Sequence, residues 1–165
     1  MHSATYSDTE TRTFEFLKDT AVGVLSSVTP NNDPHGTVVY FGIDRNFVVS
    51  VLTKSETKKH DNLTRNSHVM LTVFETVTQT TVELTGIAEE VSDPFRINEI
   101  AQMNLEASMK KSYGGIPPIS KLEAGALTAF EIKPVLVRMA VYARPDSGGY
   151  SELFESVSSF ELKDF

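Results

Sequence analysis

The sequence predicts a mainly β fold, a small closed antiparallel barrel of six strands with peripheral helices (α+β). Segments rich in β-branched residues follow one another at close spacing, separated by turn residues such as those of Pro30–Pro34. The segment Thr80–Val91 alternates apolar and polar residues, as a half-buried antiparallel strand does. Gly86 interrupts that segment and indicates a bulge or a sharp bend, which a closing barrel needs. Together these patterns favour a barrel over an open sheet.

The elements are justified by their local signals, taken in chain order. Asp8 or Thr9 can cap an entry helix, and Pro94 is a favoured residue at the start of the second helix. The predicted helices are Asp8–Lys18 and Phe95–Met109, and the predicted strand segments are Ala21–Val28, Thr37–Ile43, Phe47–Leu52, His68–Glu75, Thr80–Val91, Ala126–Ile132 and Val135–Ala143. The 165 residues are expected to form a single domain, with a core over about 20–143 and a C-terminal tail over 144–165.

Composition narrows the class of protein. A net charge of −7 argues against a general nucleic-acid or membrane-surface binder, because both rely on positive surface. The absence of cysteine excludes disulfides and thiolate metal sites. The N-terminus lacks a basic start followed by an apolar run, and no apolar run is long enough to span a bilayer. We therefore expect a cytoplasmic protein.

The segment Leu52–Leu63, read as LTKSETKKHDNL, is the strongest local signal for function. The window Lys54–Arg65 carries four basic residues against two acidic ones in an otherwise acidic chain. Hydroxyl residues lie between the lysines, where a strand end turns into a helix start. Such a place favours a phosphate, because helix N–H groups point outward and lysine supplies positive charge. The alternative is a solvated, charged helix face.

Other chemistries are poorly represented. The four histidines, at positions 2, 35, 60 and 68, show no metal-ligand spacing, and no G-x-S-x-G elbow is present. Any enzymatic activity therefore points to a bound cofactor.

The segment Thr37–Gly86 resembles the FMN-binding core of the pyridoxamine 5′-phosphate oxidase-like split-barrel family. A Pro-His turn precedes a strand beginning at Thr37, and a second strand ends in Leu52-Thr53. The triplet Thr57-Lys58-Lys59 follows at the spacing that the family shows. The resemblance implies a split barrel with FMN held at a homodimer interface.

The resemblance also implies roles for individual residues. Lys58 and Lys59 would neutralise the FMN phosphate, and the hydroxyls of Thr53 and Thr57 would donate to it. Both lysines are expected to be exposed, and Lys54 is expected to point away from the phosphate. The full set of cofactor-binding residues implied is Thr37, Val38, Val39, Tyr40, Leu52, Thr53, Thr57, Lys58, Lys59 and Thr81. The backbone of the run 37–40 would contribute N–H groups to the flavin ring.

Departures from the family concern the substrate. Members that oxidise pyridoxamine phosphate have Arg and Lys where this chain has Thr37 and Gly42, and they carry C-terminal tryptophan, which is absent here. Three hypotheses remain: an FMN-dependent oxidoreductase that acts on a small molecule with or without a reduced nicotinamide, a carrier or sensor of flavin, deazaflavin or haem, and an interaction module without cofactor.

Overall fold

The computed structural model describes residues 7–111, 125–144 and 153–162. In chain order its helices and strands are α1 (Asp8–Thr20), β1 (Val22–Val28), β2 (Pro34–Ile43), β3 (Val49–Lys54), α2 (Lys58–Arg65), β4 (His68–Glu75), β5 (Thr80–Val91), α3 (Pro94–Lys111), β6 (Leu127–Tyr142) and β7 (Phe154–Glu161). The strands pair in the order β3-β2-β1-β4-β5-β6-β7, and a further pairing of β3 with β6 closes the barrel. Six antiparallel strands thus form the barrel, and β7 lies outside it. The predicted fold class is confirmed.

The barrel interior is the main core. In β4 and β5, buried inward-pointing residues alternate with outward-pointing ones, as a barrel strand with one wet face requires. Phe14 and Leu17 of α1 extend this cluster, and Leu63 of α2 also belongs to it. A second, small cluster lies between α3 and the barrel wall and consists of Leu52, Ile100 and Ala129. These buried side chains hold α2 and α3 in place beside β3.

Gly86 lies at a bulge, as predicted. The register of β5 against β6 shifts between Thr85 and Gly86. A Cβ atom at Gly86 would lie 2.5 Å from the carbonyl oxygen of Lys133, so only glycine allows this close approach. Pro134, which has no N–H to donate, is the residue opposite Gly86. β6 therefore continues through the proline, and the two strands predicted over 126–132 and 135–143 are one strand.

Two further expectations need correction, and one strand lies beyond the predicted core. Ser7, rather than Asp8 or Thr9, caps α1 and forms a capping box with Glu10. The Lys-rich segment forms a complete helix, α2, in addition to the two helices predicted; only a helix start was expected there. The tail over 144–165 contributes β7, which pairs with the second half of β6; residues 145–152 and 163–165 of it lie outside the described part. None of the described helices is long and apolar enough to cross a membrane.

Candidate functional site

A cleft opens where β2 and β3 separate. These strands pair over only three residues, and the last pair is Phe41 with Val51. Beyond it, β2 stays paired with β1, whereas β3 stays paired with β6 as far as Lys54. The cleft has a volume of about 800 Å³, which lies within the roughly 300–1,000 Å³ typical of small-molecule sites.

Nine of the ten predicted site residues line this cleft: Thr37, Val38, Val39, Tyr40, Leu52, Thr53, Thr57, Lys58 and Lys59. Thr81 does not. It lies on β5 directly opposite Phe74 of β4, whose side chain is half exposed. Directly opposed residues of an antiparallel pair share a face of the sheet. Thr81 therefore points to the outside of the barrel and is not part of the cleft of its own chain.

The two threonines of the site are bonded to each other. Thr53 Oγ1 and Thr57 Oγ1 lie 2.7 Å apart, and Thr57 Oγ1 donates to the carbonyl oxygen of Lys54 at 2.8 Å. Since a hydroxyl has one proton, Thr53 is the donor to Thr57. Thr57 Oγ1 also accepts from the backbone N–H of His60 and so caps α2. The protons of both hydroxyls are thus engaged, and Thr53 has to release Thr57 before it can donate to a ligand.

Lys59 is less exposed than the sequence suggests. Its Nζ donates to the carbonyl oxygen of Leu52 at 3.1 Å, just past the last residue of β3 that pairs with β2. Burial of the amine lowers the pKa of Lys59 from 10.5 to about 8. The expectation that both lysines are exposed is therefore wrong for Lys59. Its ammonium still carries a positive charge at neutral pH, and contacts within the described residues leave two of its three N–H donors for a ligand.

The other two lysines also border the cleft. Lys58 is exposed in the first turn of α2. Lys54, expected to point away, lines the cleft as well. It therefore adds a third positive charge to the same end of the cleft, and it cannot serve as a control for the other two.

Helix α2 is held in place by contacts on its inner face. Asn62 Nδ2 donates to Ser27 Oγ of β1 at 3.1 Å, in a buried position. His60 Nε2 lies 3.2 Å from Glu90 Oε1, which also accepts from Thr128 Oγ1. The hydrogen bond to His60 is the main reason why the pKa of Glu90 is lowered. These contacts fix the direction of the helix N-terminus, whose positive end faces the cleft region near Thr57.

Helix α3 forms a wall of the cleft that the sequence did not reveal as functional. Ala101, Asn104, Leu105 and Ser108 line it. Ala101 and Leu105 belong to an apolar stripe of the helix, which by itself carries no signal for function. The signal that was available is the polar pair Asn104 and Ser108, four residues apart, which continues along the same face of the helix as Ile100. Both polar side chains are buried.

The sequence places the chain in a family. The family model described as pyridoxamine 5′-phosphate oxidase matches residues 9–140. The chain belongs to this family. No curated protein matches it significantly.

Several solved structures share this fold. A heme-binding protein from Mycobacterium smegmatis is 18% identical with a TM-score of 0.62, over 93% of this chain and 57% of that protein. A pyridoxamine 5′-phosphate oxidase-related, FMN-binding protein from Nostoc punctiforme is 16% identical with a TM-score of 0.60. The match covers 97% of this chain and 100% of that protein. General stress protein 26 from Bacillus anthracis is 20% identical with a TM-score of 0.62. The match covers 81% of this chain and 94% of that protein. This chain spans little more than half of the mycobacterial protein, and at these identities the likeness concerns the fold.

The residues of the cleft fit a flavin phosphate. One end holds Lys54, Lys58 and Lys59, which suits a dianion. The walls are formed by apolar side chains such as Leu52 and Leu127, which suit a flat ring. Within the described ranges, no cluster of three or more His, Asp or Glu residues could hold a metal ion.

Proposed function

We propose that the protein binds FMN in the cleft between β2 and β3 and acts as an FMN-dependent oxidoreductase on a small molecule. The observation that carries the proposal is that Lys54, Lys58 and Lys59 all line one mainly apolar cleft. The whole chain has a net charge of −7. A concentration of positive charge at a concave site in such a chain supports an anionic ligand.

The chain's own residues divide the work of binding. Lys58 and Lys59 neutralise the phosphate, and the N-terminus of α2 adds positive potential. Thr53 can rotate its proton toward a phosphate oxygen. The run Thr37–Tyr40 of β2, which has no β3 partner beyond Phe41, offers its free edge to the ring. When bound, FMN supplies the hydride chemistry, and a reduced nicotinamide is a suitable electron source for it.

Haem and a deazaflavin are the alternatives. The mycobacterial heme-binding protein has this fold, and His35 is the one imidazole among the described residues that line the cleft. His35 Nδ1 lies 3.5 Å from Thr37 Oγ1, at the rim. The lysines of β3 and α2 favour a phosphate over haem, since three positive charges suit a dianion, whereas the iron of haem is held by an axial ligand.

We further propose that a second copy of the chain covers the outer face of β1, β2 and β4. Four large apolar side chains on it are exposed: Val24, Val38, Met70 and Phe74. Val24 and Val38 are directly opposed, so they form one patch. Val38 also lines the cleft, and Thr81 lies beside Phe74 on the same face. A two-fold pairing through this face lets one chain bring Thr81 to the other chain's cofactor.

A dimer is therefore expected in sedimentation at micromolar concentration. Changing Val24 and Met70 together to Lys should give monomers, because buried like charges oppose association. Phe95→Lys is the matched control, since Phe95 is an exposed apolar residue on α3. A wild-type protein that sediments as a stable monomer would refute the pairing.

Pyridoxamine phosphate is not expected to be the substrate. The position at which true oxidases carry Lys is Gly42, against which Met103 of α3 packs. No tryptophan is present to build their C-terminal substrate site. We expect negligible oxidase activity in a peroxide-release assay with FMN bound. Turnover comparable with that of a true oxidase would show that another cation grips the substrate phosphate.

The experiment that tests the proposed cofactor is parallel reconstitution with FMN, a deazaflavin and haem, followed by visible absorption spectroscopy after desalting. The proposal predicts retained flavin bands with FMN, which a reduced nicotinamide bleaches in the presence of the protein. Retention of a Soret band alone would favour haem as the cofactor. A protein that retains none of the three would be left as an interaction module.

A further inference from the structure

Asn104 is a buried polar residue whose orientation is determined by its partners. It is 6% exposed. Its Nδ2 donates to the carbonyl oxygen of Ser50 at 3.2 Å and to that of Ile100 at 3.1 Å. Both partners can only accept, so the nitrogen of the side-chain amide has to face them. The amide oxygen consequently points the other way.

That oxygen has no partner within the described part of the chain. Asn104 Oδ1 takes part in none of the hydrogen bonds there, although Asn104 lines the cleft. No side-chain nitrogen or oxygen that is fully enclosed in the described residues lacks a partner. Oδ1 is therefore reachable from the cleft. An acceptor on a nearly buried side chain that opens into a cleft is suited to a ligand donor, because leaving it unpaired in the complex is costly.

The distance from the lysine end indicates which part of a ligand it meets. Lys59 Nζ is bonded to the carbonyl of Leu52, and Asn104 Nδ2 to that of Ser50, two residues earlier on β3. At about 3.3 Å per residue, these two carbonyls lie about 7 Å apart along the strand. A ligand whose phosphate is held by Lys59 therefore presents to Asn104 the atoms next to the phosphate rather than the far end of a ring system.

We propose that Asn104 is a specificity-determining residue that accepts a hydrogen bond from a hydroxyl of the polyol chain between the phosphate and the ring of the ligand. This inference rests on the proposed FMN site and deepens it. It defines the ligand class as a phosphate ester of a short polyol attached to an apolar ring. Haem, whose polar groups are ionised carboxylates that only accept, does not satisfy Asn104 Oδ1.

The test compares riboflavin with lumiflavin, which has the same ring but a methyl group in place of the polyol. Their affinities are measured by fluorescence quenching for the wild type, for Asn104→Leu and for the control Gln102→Leu. Gln102 is an exposed residue on the same helix. We expect Asn104→Leu to weaken riboflavin binding about fivefold or more, as the loss of one hydrogen bond does. Lumiflavin binding should be unchanged, and Gln102→Leu should affect neither ligand.

Equal weakening of both ligands, or of neither, overturns the inference while the FMN site stands. Asn104→Leu also loses the bond to Ser50, so its thermal unfolding is recorded alongside. If that variant does not fold, the wild type alone decides: riboflavin has to bind more tightly than lumiflavin, and equal affinities overturn the inference. A wild type that binds neither of them nor FMN overturns the proposed function, and this inference with it.

Discussion

Replacing Lys58 and Lys59 together by methionine is expected to weaken FMN binding by two or more powers of ten. In the proposed site each lysine would form a charge-assisted hydrogen bond with the phosphate, worth about 1.5–3 kcal/mol when partly shielded from water. The loss of two such bonds exceeds two decades at about 1.4 kcal/mol per decade. Methionine keeps the length of the side chain, so the packing of the cleft changes little. Fluorescence quenching by titration measures the affinity.

Riboflavin, which lacks the phosphate, is the ligand control and should bind the double variant almost as it binds the wild type. Lys18→Met is the protein control, because Lys18 is an exposed residue of α1 outside the cleft. If FMN and riboflavin lose affinity equally, or if neither does, the phosphate clamp is wrong and α2 is a solvated helix face.

The second large effect concerns pH and Lys59. Because burial lowers the pKa of Lys59 from 10.5 to about 8, the folded protein holds fewer protons than the unfolded chain between these two pH values. The free energy of unfolding therefore rises with pH in that window, by about 1.4 kcal/mol per pH unit for one such group. Relative to Lys59→Met, the wild type should gain about 3 kcal/mol from pH 8 to 10.5. Below pH 8 the difference should be constant.

Urea denaturation of the cofactor-free wild type and Lys59→Met, measured at several pH values, gives this difference directly. Other groups that titrate there cancel between the two proteins. The binding counterpart has the opposite sign: the wild type's affinity for FMN should fall above pH 8, where Lys59 loses its charge, and Lys59→Met should lack that fall. A flat difference in stability would mean that the Lys59 amine is not desolvated.

Much of the barrel could be predicted because its signals are local. Alternation marks Thr80–Val91, turn residues separate β1 from β2, and Gly86 marks the bulge. The continuity of β6 through Pro134 could not be predicted, since a proline in a strand ordinarily indicates an end. It is tolerated here because Pro134 faces the bulge at Gly86, a contact between distant parts of the chain. The strand β7 was missed because its mostly polar residues pair at the outer edge of the sheet.

In the candidate site too, the features set by neighbouring residues could be predicted, and those set by distant contacts could not. The lysines and threonines between β3 and α2 are neighbours in the sequence, so their grouping predicted a phosphate site. The burial of Lys59 depends on the separation of β2 from β3, which no local pattern reports. The orientation of Asn104 depends on α3 packing against β3, where its partner Ser50 is 54 residues away in the chain. Thr81 came from the family resemblance alone; it lies on the outer face, and only under the proposed two-fold pairing would it contact a partner chain.

The central claim is tested most directly by a crystal structure of the protein reconstituted with FMN. The account predicts electron density for the phosphate beside Lys58, Lys59 and the N-terminus of α2, with the ring along the free edge of β2. It predicts Thr81 of a second chain near that ring. FMN bound elsewhere, or in this cleft with its phosphate turned away from the lysines, would contradict the account.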